Sequence, residues 1–184
     1  AANVTALPVA ILVAVVVWFP ANRRIYQSPI RLADTFGFNR NNTGSCLLLG
    51  LAAGLGLVLI AMALALLSNL LIHALGDQAE PQKLVTLIAE ESAKKENIPT
   101  LIFFVVMSVA VAPIAEEILF RGILYPAIKQ IGHPLLAAIG TALLFALFHV
   151  NLLTFASLTV VALGLIALYE FTDNLLAPIT AHAV

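Results

Sequence analysis

Long apolar runs separated by short polar segments dominate the chain. A membrane-spanning helix needs about 20 mostly apolar residues, because the hydrocarbon core of a bilayer is about 30 Å thick and a helix rises about 1.5 Å per residue. The pattern predicts six candidate spans, at residues 4–19, 46–72, 100–128, 134–150, 152–169 and 175–184. We therefore expect an all-α, multi-pass transmembrane helical bundle.

It is not obvious from length alone that the first and last apolar runs span the membrane. The run at 4–19 resembles the apolar part of a signal peptide, but no basic residue precedes it, so a span is the preferred interpretation. The run at 175–184 is too short to cross a bilayer, so we expect the natural chain to continue beyond Val184. The length favours a single integral membrane domain over residues 1–184.

Two further features concern helix packing and the membrane surface. Gly50 and Gly54 have the spacing that lets two helices approach closely. In the segment 80–97, Leu84, Leu87 and Ile88 recur at helical spacing beside a charged face. This pattern predicts an amphipathic helix that lies on the membrane surface, and a substrate gate is the alternative.

Composition supports a membrane location and excludes some partners. The chain is 61% hydrophobic and 10% charged, whereas soluble domains are about 25% charged. We therefore expect a multi-pass integral protein of the cell membrane. A formal net charge of -1 gives no reason to expect a nucleic-acid partner, and the single cysteine, Cys46, rules out an internal disulfide framework.

The third run carries three charges where the membrane should be crossed. A charged side chain at mid-bilayer costs on the order of 3 kcal/mol, so Glu116, Glu117 and Arg121 should face the protein interior. Glu117 and Arg121 are four residues apart and should form an ion pair on one helix face. Glu116 points about 100° away and needs a partner from another helix.

Two histidines are candidate partners for Glu116. Measured from the polar turn near residues 129–134, Glu116 is roughly 20 Å along one helix and His149 roughly 22 Å along the next. If the last helix starts near Thr172 as its cap, His182 reaches a similar depth. We expect Glu116 to meet His149, with His182 close by.

Three motifs in order resemble a known family. "EEILFRG" fits EExxxR at 116–121, "FALFH" fits FxxxH at 145–149, and "LYEFTDNLLAPITAHAV" is similar to a closing segment that ends in HxxxN. Residues 99–184 thus resemble the catalytic core of the CAAX protease and bacteriocin-processing family (CPBP, also called ABI). Its members include the type II CAAX prenyl endopeptidases, which are all-helical intramembrane proteases.

The resemblance implies a role for each motif residue. Glu116 would be the general base, His149 would help to hold the attacking water, and His182 would donate to the oxyanion. The supporting residues would be Glu117, Arg121 and Phe145. The family's asparagine, four residues after the last histidine, would lie beyond Val184. The implied substrate is a peptide or protein at the lipid bilayer, with prenylated CaaX-type proteins as one class.

Several alternatives remain open. The reaction implied by the resemblance needs no cofactor, but a zinc-dependent protease with His149, His182 and Glu116 as metal ligands is the alternative within the enzyme class. The common HExxH zinc motif does not occur. Non-catalytic alternatives are a bacteriocin-immunity factor, a membrane scaffold, or a proton or ion pathway built on the carboxylates.

Overall fold

The described part of the chain is entirely helical. The structure is a computed structural model that describes residues 36–38, 42–76, 83–93 and 98–184. Within those ranges it contains six helices and no strand. The helices are α1 (Thr43–Ala74), α2 (Lys83–Ala93), α3 (Ile98–Lys129), α4 (Pro134–Phe148), α5 (Leu152–Thr172) and α6 (Leu176–His182). The predicted class, an all-α helical bundle, is confirmed.

Helices α1, α3 and α5 are long and apolar enough to cross a membrane. They correspond to the predicted spans at 46–72, 100–128 and 152–169: α1 and α3 extend beyond both ends of the prediction, and α5 extends beyond its C-terminal end. The span predicted at 134–150 is longer than α4, which has 15 residues and ends at Phe148, with His149 as its C-terminal cap. The run 175–184 forms the seven-residue α6. The candidate span 4–19 lies outside the described residues.

The amphipathic segment predicted at 80–97 contains α2. Leu87 and Ile88 are half-buried on this helix, whereas Val85 is exposed. The helical state is therefore confirmed for the described part of the segment. Its location on the membrane surface stays a prediction.

Helix α3 departs from regular α geometry on both sides of its two glutamates. Met107–Val111 and Ile118–Leu124 are π-helical, and the short α-helical segment Ala112–Glu117 lies between them. Pro113 lacks a backbone N–H, and the N–H of Ala112 donates to the carbonyl of Met107, five residues earlier. Short π-helical segments are frequent at functional sites, so this local geometry supports a site at Glu116 and Glu117.

Helix α1 contacts α6 through the predicted glycine pair. Gly50 and Gly54 are buried. A Cβ atom added to Gly50 would lie 2.5 Å from the carbonyl oxygen of Ala177, and one added to Gly54 would lie 2.7 Å from that of Ala181. Only glycine allows this separation, so the prediction of close helix packing is confirmed.

The core between α3, α4 and α5 combines small and aromatic side chains. Ala142 of α4 and Ala162 of α5 are fully buried, which allows close approach of the helices. Phe120 of α3 packs edge-on against Phe145 of α4, with ring centroids 5.2 Å apart. Edge-to-face contact is a favoured arrangement of aromatic rings, and it fixes α3 against α4 next to the charged residues.

The start of α6 is held by Asn174 and not by the predicted cap Thr172. Thr172 is the last residue of α5, and its hydroxyl donates to the carbonyl of Leu168 at 2.8 Å. The side-chain oxygen of Asn174 accepts the N–H of Leu176 at 2.9 Å, and its amide donates to Asn42 at 3.1 Å. Asn174 is fully buried and joins the start of α6 to that of α1.

Candidate active site

A buried ion pair on α3 forms the base of the site. Arg121 donates from Nη1 to Oε1 of Glu117 at 2.8 Å, and both side chains are at most 1% exposed. The other terminal nitrogen of Arg121 donates to the carbonyl of Ala162 on α5 at 3.0 Å. The ion pair predicted from the four-residue spacing is confirmed. The contact with α5 also locks the guanidinium in place.

His182 joins the two glutamates. Its Nδ1 lies 2.8 Å from Oε1 of Glu117, and its Nε2 lies 3.7 Å from Oε2 of Glu116. Because α6 begins at Leu176, His182 is on its last turn, close to the middle of α3. The sequence predicted His182 near this region but not its hydrogen bond with Glu117.

The two glutamates differ in their access to solvent or substrate. Glu117 is fully buried, whereas Glu116 is 20% exposed and His182 is 19% exposed. The open edge of the site is therefore formed by Glu116 and His182. An incoming molecule would meet the Glu116 carboxylate before it could reach the ion pair.

His149 occupies a neighbouring position, in contact with Phe145. Its Nδ1 lies 2.9 Å from the carbonyl oxygen of Phe145 in its own helix. The Phe145 ring lies 4.8 Å from the His149 ring and 5.6 Å from the His182 ring, centroid to centroid. The Arg121 guanidinium carbon lies 4.9 Å from the Phe145 centroid. Phe145 thus contacts both imidazoles and the buried cation.

The predicted meeting of Glu116 with His149 stays a prediction. Within the ranges that the structure describes, the histidine at ion-pair distance from Glu116 is His182. Helix α4 ends at Phe148, so His149 lies at the helix end and its Nδ1 bonds to the preceding turn. The Phe145 ring contacts both imidazoles.

The turn that carries His149 is strained. Val150 has a φ of +46°, in the left-handed region that β-branched residues rarely adopt. Such a backbone costs roughly 1–2 kcal/mol, and Val150 is 89% exposed, so packing of its side chain offsets little of that cost. Asn151 then starts α5 by accepting the N–H of Thr154 at 3.0 Å. Strained residues often cluster at active sites.

The zinc-dependent alternative needs metal ligands that converge on one point. No group of three or more histidine, cysteine, aspartate or glutamate side chains in the described ranges is arranged to hold a metal ion. The alternative zinc ligands Glu116, His149 and His182 accordingly do not form such a group. What the site does offer is an accessible carboxylate, two imidazoles and a buried cation.

Helices of spanning length around buried charges define an integral membrane protein with an internal polar site. Residues 98–184 match the model of the family described as Type II CAAX prenyl endopeptidase Rce1-like. The resemblance indicated by the three motifs is therefore confirmed over that part of the chain, and the matching family is one of proteases. No curated protein and no solved structure matches the chain.

The matched region contains every candidate site residue. Helices α3, α4, α5 and α6 all lie within it, whereas α1 and α2 precede it. The family description names a CAAX prenyl endopeptidase. It leaves the roles of individual side chains and the substrate of this chain to be inferred from the site.

Proposed function

We propose that this chain is an intramembrane endopeptidase that hydrolyses peptide bonds of membrane-associated proteins with water activated by Glu116. The observation that carries the proposal is the accessible carboxylate of Glu116 beside His182, whose ring is hydrogen-bonded to the buried Glu117–Arg121 pair. A general base must be reachable by water, and its surroundings must be fixed. Glu116 meets the first condition and Glu117 does not.

In the proposed reaction, Glu116 removes a proton from a water molecule as the water oxygen attacks the scissile carbonyl carbon. Nε2 of His149 accepts a hydrogen bond from the same water, because its Nδ1 is engaged with the Phe145 carbonyl. His182 donates to the oxyanion that forms, and one such donor contributes about 3 kcal/mol to the lowering of the barrier. The proton is delivered to the amine nitrogen when the C–N bond breaks.

The substrate class follows from the location of the site. Glu116 and His182 belong to helices that pack inside an integral membrane protein, so a substrate segment has to reach them from the bilayer or its surface. Proteins with a lipid anchor or a spanning helix satisfy that condition. Prenylated CaaX-type proteins, the class in the family description, are the first substrates to test.

A serine nucleophile is a weaker candidate on this geometry. The hydroxyl of Ser108 donates to the carbonyl of Phe104 at 2.8 Å, within its own helix. An activated serine instead needs a hydrogen bond to a general base. We therefore assign the nucleophile to water.

The experiment that tests this function is cleavage of tethered peptides by the purified full chain in liposomes. Fluorescence-quenched peptides with a farnesylated CaaX end are compared with the same peptides lacking the lipid. We expect cleavage of a membrane-tethered peptide, and the comparison reports whether the lipid or only the tether is required. No cleavage of either peptide would contradict the proposal for CaaX-type substrates.

Metal dependence is tested in the same assay. The proposed reaction uses only side chains of the protein, so we expect the cleavage rate to survive exhaustive treatment with a zinc chelator. Loss of activity on chelation, with recovery on addition of stoichiometric zinc, would contradict the metal-free reaction. That result would favour the zinc-dependent alternative.

A further inference from the structure

The connection between α4 and α5, residues 148–152, exposes apolar side chains; we call it the α4–α5 turn. Phe148, Val150 and Leu152 are each more than half exposed. Turns that face water are usually built from glycine, proline, asparagine, aspartate and serine. The connection between α3 and α4, at 129–133, is mostly polar in sequence. The compositions of the two turns therefore indicate different surroundings at the two ends of α4.

Polar groups of the α4–α5 turn are bonded within the protein. The backbone N–H groups of His149 and Val150 donate to carbonyls in the last turn of α4, at 3.2 and 3.0 Å. The side-chain oxygen of Asn151 accepts the N–H and the hydroxyl of Thr154, at 3.0 and 3.2 Å. Hydrocarbon offers no partners to backbone groups, so a turn inside a bilayer has to bond them internally. These contacts meet that requirement.

Helix α3 continues beyond the level of the α4–α5 turn. Lys129 of α3 pairs with Glu170 of α5, which places these two helix ends at the same level. From that pair, Leu152 at the start of α5 is about 27 Å away along the helix, whereas Ile98 is roughly 45 Å away along α3. Helix α3 therefore extends about 15–20 Å past the turn.

Helix α1 continues past the same level. Asn42, just before α1, donates to the carbonyl of Thr172, so α1 starts where α5 ends. The two helices touch further along, where a Cβ atom on Gly164 would lie 2.5 Å from the Leu57 side chain. From this contact, α1 runs about 26 Å to Ala74, whereas α5 runs about 18 Å to its start. Helix α1 thus extends about 8 Å past the turn.

The extensions of α1 and α3 have the surface of lipid-facing helices. Residues 98–111 of α3 contain no charged side chain, and Ile102 and Phe103 are exposed there. On α1, Leu70 and Leu71 are exposed in the same way. Both helices belong to the group that is long and apolar enough to cross a membrane. A bilayer that covers these apolar surfaces also covers the α4–α5 turn.

We propose that the α4–α5 turn lies below the lipid headgroups and that Phe148, Val150 and Leu152 contact the acyl chains of bilayer lipids. The exposed apolar surface of the turn is then continuous with the lipid-facing surface of α1 and α3. The length of α4 agrees, because 15 residues give about 22 Å and the hydrocarbon core is about 30 Å thick. This placement requires integration into the membrane and does not depend on proteolysis.

The depth of the turn can be measured with nitroxide labels. The single cysteine, Cys46, is buried, so the label attaches to an introduced cysteine. Val150→Cys is compared with Ile131→Cys, because both replace an exposed aliphatic residue in a turn between helices, 89% and 74% exposed. The labelled full chain is placed in nanodiscs of phosphatidylcholine and phosphatidylglycerol. Electron paramagnetic resonance then reports collisions with oxygen, which concentrates in hydrocarbon, and with a nickel chelate, which stays in water.

The ratio of oxygen to nickel collisions decides the outcome. Two references are used, a lipid labelled on its headgroup and the Ile131→Cys protein. We expect the ratio for Val150→Cys to be several-fold higher than both references and close to that of a lipid labelled near the top of its acyl chain. A ratio for Val150→Cys no higher than either reference would overturn the proposal.

Substitutions of Val150 give a second test that uses no label. Val150 has a φ of +46°, which glycine and asparagine adopt more readily than valine. Val150→Gly and Val150→Asn both relieve the strain, but only asparagine adds an amide that loses its water in hydrocarbon. We expect Val150→Asn to melt at a lower temperature than Val150→Gly in nanodiscs.

A water-facing turn would give the opposite order of melting temperatures. Glycine loses more backbone freedom on folding than asparagine, so Val150→Asn would then be at least as stable as Val150→Gly. That order would overturn the placement below the headgroups. Neither measurement uses a substrate, so a protein that cleaves no peptide would leave both results, and the placement of the turn, standing.

Discussion

Glu116 and Glu117 have the same side chain and differ mainly in burial. Glu117 is fully buried against Arg121, whereas Glu116 is 20% exposed. Removing the charge of Glu117 would leave a buried guanidinium without its counter-charge, and breaking a buried pair in this way costs about 3–5 kcal/mol. We expect Glu117→Gln to lower the melting temperature of the purified protein much more than Glu116→Gln does.

The measurement is thermal unfolding of both variants and the parent in the same detergent. Glu90→Gln on α2 is a suitable control, because Glu90 is exposed and should be close to neutral. Equal melting temperatures for Glu116→Gln and Glu117→Gln would contradict the assignment of Glu117 as the structural partner of Arg121.

Contacts between residues that are close in the sequence could be predicted from the sequence alone. The pairing of Glu117 with Arg121 follows from helical spacing alone, because residues four apart share a helix face. The contact of His182 with both glutamates could not be predicted in the same way. It depends on where α6 starts and how it is rotated, and the assumed cap at Thr172 was wrong because that hydroxyl bonds back to α5.

A signal for the true start of α6 was present in the sequence. Asp173 and Asn174 are residue types that favour turns and helix starts. Asp173 has a φ of +47°, which ends α5, and Asn174 accepts the first N–H of α6. A turn at those two residues predicts that the last helix begins after Asn174, close to the observed start of α6.

Among the helices, the contact between α1 and α6 determines where His182 lies. A methyl group at Gly54 would lie 2.7 Å from the carbonyl oxygen of Ala181, so Gly54→Ala has to push α6 away. Overpacking of this kind costs about 1–3 kcal/mol. We expect Gly54→Ala to lower both the melting temperature and the cleavage rate.

Gly56 provides the matched control on the same helix. A Cβ atom at Gly56 would meet nothing within 4 Å, so Gly56→Ala should be neutral or slightly stabilising. The comparison uses melting in detergent and cleavage in liposomes for both variants. If Gly54→Ala behaved like Gly56→Ala in both assays, α6 would not depend on close packing against α1.

Helix existence was predictable from the apolar runs, whereas helix geometry was not. The spans at 46–72, 100–128 and 152–169 were found because an apolar run of that length has few alternatives in a membrane. The π-helical segments of α3 and the early end of α4 depend on the backbone conformation at single residues such as Pro113 and Val150. Hydrophobic periodicity carries no information on the conformation of single residues.

At the scale of the whole molecule, charge is divided between the edges of the bundle and its interior. Lys129 and Glu170 pair at the ends of α3 and α5 and are each 40% exposed. Glu117 and Arg121 are instead buried between helices of a membrane protein, where charge is expensive. The interior charges therefore need a function, and we infer that they support the proposed proteolytic site.

The central claim is that the Glu116 carboxylate activates the attacking water. The measurement is the initial rate of cleavage of a membrane-tethered peptide by liposome-reconstituted Glu116→Gln, normalised to folded protein and compared with the parent and with Glu90→Gln. Glutamine preserves shape and hydrogen bonding but cannot take a proton from water, so we predict a loss of about 10²- to 10⁴-fold for Glu116→Gln and a parental rate for Glu90→Gln. Near-parental cleavage by a folded Glu116→Gln protein would contradict the account.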